Sequence, residues 1–257
     1  MRYLDVEEAR ALPGLRLVLS AGVPGPWGEA AKAILHVKKL DYTPVRQLPA
    51  QPNPALEAWT GRNDAPIAVL DDERPRAGWA EILLLAERLA PEPRLVPEDP
   101  EPRALLFGYA HEICGEQGLG WSRRLMLVHE RLGAGAAPAA RSIGEALGRK
   151  YGYSPEAAEA APRRCAGILQ LLADLLRRSR ERGGGYLLGD RLTALDLYWA
   201  AFATLFEPMP NDACPLPGAL RAMYTTPDPE IRAALDPALL AHRDFVYREH
   251  LPLPMEF

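Results

Sequence analysis

The sequence has little cysteine. Its 257 residues include three, at Cys114, Cys165 and Cys214, and they are far apart and form no Cys-x-x-Cys pair. Such sparse, unpatterned thiols argue against a disulfide framework and against a thioredoxin-type redox motif. We therefore expect reduced thiols and a cytoplasmic location.

An excess of basic charge and a long apolar run are also lacking. The formal net charge is -4, which gives no reason to expect a nucleic-acid partner. No apolar run reaches the ~18 residues of a membrane span, and the acidic start, Met1–Glu8, does not resemble a signal peptide. His111 and Cys114 share a helical face, but two ligands are too few to indicate a metal site. We expect no metal, no nucleic acid and no membrane contact.

The first 90 residues mix the periodicities of strands and helices. Alternating and apolar patterns predict the order β-α-β-α-β-(β)-α, where the bracketed edge strand would lie near 74–77. The predicted segments are a strand at 15–20, a helix at 27–40, a strand at 42–48, a short helix at 55–59, a strand at 65–70 and a helix at 79–89.

A segment with five prolines, 91–102, separates this region from one with only helical patterns. The predicted helices are 104–131, 139–147, 155–182, 193–206 and 229–242. We predict an α+β domain at 1–90, a linker at 91–102 and an all-α domain with a proline-rich tail at 103–257. The tail after Phe206 either closes over a pocket or wraps the surface.

Thr193-Ala194-Leu195-Asp196 has the pattern of a capping box, with Asp in place of the commoner Glu. Each side chain can satisfy a backbone N–H that helix initiation leaves without a partner. We interpret the motif as structural.

Four segments together resemble the cytosolic glutathione S-transferase superfamily: Gly25–Trp27 at a helix start, Ala65–Ile67 before a strand, Ile82 with its apolar helix, and Gly189–Leu197 around the capping box. The resemblance covers about residues 15–205, and the chain is identified as a divergent member. It implies a thioredoxin-like domain with a mixed four-stranded sheet, an all-helical domain, a homodimer, and glutathione as co-substrate.

By this resemblance, Pro66 follows a cis peptide bond and the backbone of Ala65 pairs with the cysteinyl part of glutathione. Pro26 and Trp27 belong to the same site. The family binds the γ-glutamyl group with an acidic residue and a serine, and Gly78 and Trp79 stand there instead. The N–H of Trp79 can still donate to a carboxylate, and Glu81 is a candidate replacement for the missing acid.

The residue that activates the thiol is also altered. Gly25 occupies the position of the family's Ser or Cys, so no side chain there can stabilise the thiolate. Three candidates remain: the Ser20 hydroxyl, the N–H groups at the start of the helix beginning near Trp27, and a residue of the helical half. We name Ser20 as the candidate catalytic side chain.

The helical half would supply the pocket for an apolar electrophile, and the candidate lining residues are Phe107, His111, Cys114 and Trp121. The leading hypothesis is a glutathione-transferase-like enzyme. A second is a non-catalytic binding or scaffold protein on the same fold, which Gly25 and the Gly78-Trp79 pair favour. A third is a reductase or peroxidase that uses Cys114 as the nucleophile.

Overall fold

Strands and helices alternate in the first third of the computed structural model, which describes residues 1–257. The elements are α1 (Val6–Arg10), β1 (Leu15–Ser20), α2 (Pro26–Val37), β2 (Thr43–Gln47), α3 (Pro54–Thr60), β3 (Ile67–Leu70) and α4 (Trp79–Leu89). The predicted order is confirmed, with α1 added before it.

A mixed sheet in the order β2-β1-β3 forms the centre of this half. β1 runs parallel to β2 and antiparallel to β3. The middle strand is buried along nearly its whole length, as expected for a strand covered on both faces, and its one charged residue, Arg16, is buried as well. At its carboxyl end Ser20 lies opposite Gln47 of β2, which brings two polar side chains to one edge of the sheet.

The sheet has three strands, so the expected four-stranded sheet is wrong. The segment where a fourth strand was expected makes one antiparallel bridge, between Ala68 and Arg76. The chain turns directly before that bridge, where the N–H of Glu73 donates to the C=O of Leu70 at 2.8 Å, and Pro75 suits the outer edge of a sheet. One pair of backbone hydrogen bonds therefore takes the place of an edge strand.

Helices make up the rest of the chain: α5 (Pro100–Cys114), α6 (Leu119–Leu132), α7 (Pro138–Tyr151), α8 (Pro155–Glu181), α9 (Ala194–Ala203), α10 (Gly218–Tyr224), α11 (Pro229–Ala234) and α12 (Pro237–His250). The all-helical prediction is confirmed. None of these helices is both long and apolar enough to span a membrane.

Two predicted helices are each broken in two. The helix expected over 104–131 ends at Cys114 and restarts at Leu119, because Gln117 adopts a left-handed backbone conformation (φ 60°) that a helix does not accommodate. The helix expected over 229–242 ends at Ala234, and Pro237 begins the next one. A proline cannot continue the preceding helix but fits the first turn of a new one.

The proline-rich linker is anchored to both halves. Leu95 and Val96 are buried. The N–H of Leu95 donates to Glu87 of α4 at 3.0 Å, and its C=O accepts from Ala194 of α9 at 2.9 Å. One cluster of 50 buried apolar residues runs through both halves, so the linker is packed between them.

The capping box at the start of α9 is present and buried. Both the N–H and the hydroxyl of Thr193 donate to Oδ2 of Asp196 at 2.9 Å. Oδ1 accepts from the N–H of Leu187 at 2.9 Å and pairs with Nε2 of His242 at 2.8 Å. Asp196 thus joins the α8–α9 connection, the first turn of α9 and α12.

Candidate functional site

A cleft of about 950 Å³ separates the sheet-containing half from the helical half. Its walls come from distant parts of the chain. The sheet-side wall includes Ser20, Gly25, Trp27, Gln47 and Ala65, and the helical wall includes Arg124, Arg131, Tyr151, Met223 and Tyr224. Of the expected site residues, the structure brings Ser20, Trp27 and Ala65 together here.

Ala65 offers backbone groups to the cleft. The Ala65–Pro66 bond is cis, as the resemblance implied. The N–H and C=O of Ala65 have no hydrogen-bond partner within the chain, although Ala65 stands only two residues before the start of β3. Unpaired groups at the end of a strand can bind an extended peptide as an added strand does. Pro66 itself is buried and lies outside the cleft lining.

The start of α2 also faces the cleft. Its N-cap is Gly25, with no side-chain cap, and Pro26 occupies the first turn. The N–H groups of Trp27 and Gly28 have no acceptor within the chain. Free N–H groups and the helix dipole favour an anion at this point, a thiolate included.

The Ser20 hydroxyl donates to Oε1 of Gln47 at 2.7 Å. The Gln47 amide is held in turn, because its Nε2 donates to the C=O of Leu48 at 2.9 Å. In this arrangement the proton of Ser20 is already used, and its oxygen can only accept. The role of Ser20 as a donor to a thiolate stays a prediction.

Trp27 connects the two walls of the cleft. Its indole N–H donates to the C=O of Cys114 at 2.8 Å. Its ring packs edge-on against Phe202 of α9, with a centroid distance of 4.9 Å, and lies 6.3 Å from that of Tyr151. These contacts fix the first turn of α2 against the helical half.

Trp79 and Glu81 lie outside the cleft lining. The Trp79 ring packs on Phe107 and Tyr198, while the N–H groups of Trp79 and Ala80 have no acceptor in the chain. Glu81 accepts from the N–H of Gly78 at 3.1 Å and pairs with Arg74 at 2.7 Å. The hydrogen bond from Arg74 is the main reason that the pKa of Glu81 lies below its usual value. Both oxygens of Glu81 are thus already engaged.

None of the four residues expected to line the substrate pocket lies in the cleft wall. Phe107 packs on Trp79, and His111 is exposed beside Gly115. Trp121 supports the wall from behind: it packs edge-on against Tyr151 at 4.8 Å and donates to the C=O of that residue at 2.9 Å.

Cys114, the fourth of these residues, is buried, and burial raises the pKa of its thiol well above the usual value. Cys165 is similar, with a pKa raised by burial to about 12. Reactive cysteines are exposed and have lowered pKa values. The structure therefore gives no support to a reductase or peroxidase that uses Cys114.

Two arginines of the helical wall were not predicted as site residues from the sequence. Arg124 and Arg131 stand seven residues apart on α6, so they share a face, and this spacing is the one signal that could have pointed to them. Neither lies within 4 Å of a carboxylate. Burial, followed by the charge of Arg124, lowers the pKa of Arg131.

One ion pair crosses the cleft. Lys150 of α7 lies 3.1 Å from Asp64, which also pairs with Arg62 at 2.8 Å. Burial raises the pKa of Asp64, but the hydrogen bond from Arg62 and the charge of Lys150 outweigh it, so the pKa lies below its usual value. The carboxylate is therefore charged and shared by both walls.

Comparison with known proteins gives structural matches only. No protein-family model matches the sequence, and no curated protein matches it. Among solved structures, the chain is similar to a glutathione S-transferase domain-containing protein from Marinobacter aquaeolei (TM-score 0.62, 19% identity, 91% of this chain and 98% of that chain).

Two further matches belong to the same group. A glutathione S-transferase from Methylobacterium radiotolerans, in complex with glutathione sulfonate, gives TM-score 0.61, 19% identity and coverage of 95% and 97%. Glutathione transferase Omega 3C from Trametes versicolor gives a TM-score of 0.59 at 16% identity, and the match covers 95% of this chain and 89% of that chain. At these identities the likeness establishes the fold. The chain has the fold of the glutathione S-transferases, which confirms at the level of the fold the resemblance seen in its sequence.

Proposed function

We propose that the chain binds glutathione at the sheet-side wall of the cleft. The observation that carries this proposal is the unpaired N–H and C=O of Ala65, in the same cleft as the free N–H groups of Trp27 and Gly28. The peptide backbone of glutathione would pair with Ala65, and its thiol would lie at the start of α2. Proteins of similar fold have been crystallised with glutathione or its sulfonate.

Isothermal titration with glutathione tests the proposal. A matched ligand is the alanine analogue, γ-glutamyl-alanyl-glycine, which keeps the backbone and lacks the thiol. We expect both ligands to release heat on binding, because both have the backbone groups that would pair with Ala65. The analogue should bind more weakly, because it has no thiolate for the N–H groups of α2 to stabilise. Absence of heat from glutathione at millimolar concentration would rule out the assignment.

For the reaction, we propose transfer of glutathione to an electrophile. The bound thiolate attacks an electrophilic carbon, the carbon–sulfur bond forms, and the leaving group departs with its electron pair. Here the thiolate would be stabilised by the N–H groups of Trp27 and Gly28 rather than by a side chain. Trp27 and Tyr151 would contact the electrophile.

Conjugation of glutathione to chlorodinitrobenzene tests this reaction. We expect turnover above the uncatalysed rate, and Ser20→Ala decides the role of the hydroxyl. A rate unchanged in that variant would remove Ser20 from the mechanism. A protein that binds glutathione without turnover would instead be the second candidate, a non-catalytic binding or scaffold protein, which the side-chain-free Gly25 favours.

We also propose a homodimer. Leu84 of α4 and Leu105 of α5 are 43% and 45% exposed, and their helices adjoin through Trp79 and Phe107. Large apolar side chains on neighbouring surface helices favour a partner surface. Sedimentation equilibrium should give twice the chain mass for the wild type and the single mass for Leu84→Glu; a monomeric wild type would contradict the proposal.

A cytoplasmic location remains part of the proposal. All three cysteines are free and buried in the structure, which suits a reducing compartment. Fractionation of the source cells with an antibody to the chain would test it.

A further inference from the structure

The helical wall of the cleft carries two guanidinium groups without a matching anion. The other two cations of the cleft, Arg62 and Lys150, both pair with Asp64. Arg124 lies 3.5 Å from the Tyr224 hydroxyl and also interacts with the Tyr151 side chain, both of which are neutral groups. Arg131 approaches the Met223 sulfur at 2.8 Å and the C=O of Leu127 at 3.5 Å. Each guanidinium has five N–H donors, so most of this donor capacity is free.

Arg123, which precedes Arg124 on α6, has a structural role and serves as a comparison. Arg123 is buried, and it donates to the C=O of Leu205 at 3.1 Å and to that of Met223 at 2.9 Å. It joins α6 to the end of α9 and to α10. Arg124 and Arg131 point into the cleft instead and make no comparable bonds. Packing of the helices therefore does not account for them.

Two partly buried like charges on one helix face are unfavourable unless an anion compensates them. A guanidinium stays charged at any physiological pH, so neither arginine can lower this repulsion by losing a proton. An anionic group between them would relieve their repulsion and fill their free donors, in the bidentate geometry that arginine offers to carboxylate, sulfonate or phosphate.

The surrounding side chains define the rest of the ligand. Tyr151, Tyr224 and Trp27 lie in the same cleft, and the Arg124 guanidinium lies 5.7 Å from the centre of the Tyr224 ring. Aromatic walls favour a flat apolar body. The free N–H groups at the start of α2 stand on the opposite wall, where the thiol would lie.

We infer that the second substrate is an aromatic electrophile that carries an anionic group, and that Arg124 and Arg131 bind this group. The inference rests on the proposed function, since it assigns the partner of glutathione in the same cleft. It makes the two arginines specificity-determining residues, because a neutral electrophile would leave their donors unfilled.

A pair of fluorescent probes tests the inference directly. Anilinonaphthalene sulfonate and phenylnaphthylamine share one aromatic frame and differ in the sulfonate. We expect Arg124→Met and Arg131→Met each to weaken sulfonate binding by about 10- to 100-fold, as loss of a hydrogen bond to a charged group implies. Binding of the neutral probe should change less than about twofold, and Arg124→Lys should restore part of the sulfonate affinity.

Arg149→Met is the matched control, because Arg149 lies on α7 next to the cleft residue Lys150 but is exposed and makes no hydrogen bond. It should leave the binding of both probes unchanged. Equal losses for the two probes in the Arg124 and Arg131 variants would show a role in packing and overturn the inference. Unchanged sulfonate binding in those variants would overturn it as well.

Titration of glutathione into the same variants separates this inference from the proposed function. Glutathione affinity should be unchanged in Arg124→Met and Arg131→Met. A loss equal to that of the sulfonate would mean that the arginines bind the carboxylates of glutathione, which overturns the inference. If glutathione fails to bind the wild type while the probe pattern holds, the proposed function fails and the anion site stands.

Discussion

Gly25 is the residue at which this chain departs most from the pattern that its sequence otherwise resembles, in which Ser or Cys stands before the proline. Its backbone is extended (φ -63°, ψ 123°), a conformation open to any residue, and a Cβ built on it meets no atom within 4 Å. Neither strain nor crowding therefore requires glycine there. Packing therefore does not explain why no hydroxyl or thiol stands at the start of α2.

Adding the missing hydroxyl should raise activity. We expect Gly25→Ser to increase the rate of chlorodinitrobenzene conjugation about tenfold, because a hydroxyl near the free N–H groups of α2 adds a hydrogen bond to the thiolate. Gly25→Ala, which adds the Cβ alone, is the control and should match the wild type. Equal rates for the two variants would show that the thiol does not lie at this helix start.

Gly120, by contrast, is required by packing. A Cβ there would lie 2.4 Å from Cε1 of Phe202 and 3.1 Å from Cη2 of Trp27. We expect Gly120→Ala to lower the free energy of unfolding by about 1–3 kcal/mol, as overpacking does, and to weaken glutathione binding by displacing Trp27. Urea denaturation and titration measure the two effects.

The control for this substitution is Gly167→Ala on α8, where the position is exposed and no atom lies within 4 Å of the added Cβ. That variant should gain up to about 1 kcal/mol from helix propensity. A Gly120→Ala protein as stable as this control would contradict the close contact of α6, α2 and α9.

At the scale of elements, one buried lysine ties the end of α2 to the end of α4. The Lys38 side chain is fully buried, pairs with Glu87 and donates to the C=O of Ala90 at 2.8 Å. We expect Lys38→Met to cost about 3–5 kcal/mol, because the Glu87 carboxylate then keeps only the N–H of Leu95 and loses its counter-ion, and the Ala90 carbonyl loses the Lys38 donor. Chemical denaturation measures the loss.

Lys39→Met, next in the chain and exposed, should change stability by less than about 0.5 kcal/mol. The double variant Lys38→Met/Glu87→Gln should recover part of the loss, since it removes the unpaired charge. If Lys38→Met were as stable as Lys39→Met, the Lys38–Glu87 pair would contribute nothing to the packing of α2 against α4.

Elements with strong periodicity could be predicted from the sequence, and those that depend on one residue's conformation could not. The strand at 15–20 and the helix at 79–89 have the predicted limits, because an apolar pattern fills each of them. The break between α5 and α6 depends on the left-handed conformation of Gln117, a residue type that rarely adopts it. The expected fourth strand is reduced to one bridge, because the chain turns tightly between Leu70 and Glu73 just before it.

At the scale of the whole molecule, the cleft could be predicted only in part. Its sheet-side wall comes from local motifs, so Ser20, Trp27 and Ala65 were found in the sequence. Its helical wall is assembled from α6, the end of α7 and α10, which meet only through tertiary packing. A helical period shows that Arg124 and Arg131 share a face, but it does not show what that face covers.

The ion pair across the cleft should make stability depend on pH. The folded-state pKa of Asp64 is lowered, so its contribution is present above about pH 4, the unfolded-state value, and is lost as the pH falls through the folded pKa. We expect Asp64→Asn to cost about 1 kcal/mol at neutral pH and less as the pH falls below that value. Urea denaturation across this pH range measures it.

Asp190→Asn is the control, because that carboxylate is 85% exposed. The free energy of unfolding of the Asp190→Asn variant should equal that of the wild type at every pH. A cost for Asp64→Asn that stays constant down to acid pH would show that the side chain acts through its shape and not through its charge.

A crystal structure of the protein soaked with glutathione tests the central claim most directly. The account predicts that the cysteinyl backbone pairs with the N–H and C=O of Ala65 and that the sulfur lies within hydrogen-bond distance of the N–H of Trp27 or Gly28. Arg124 and Arg131 should remain free of the ligand. Glutathione bound on the α6 wall, or an empty sheet edge at saturating ligand, would contradict it.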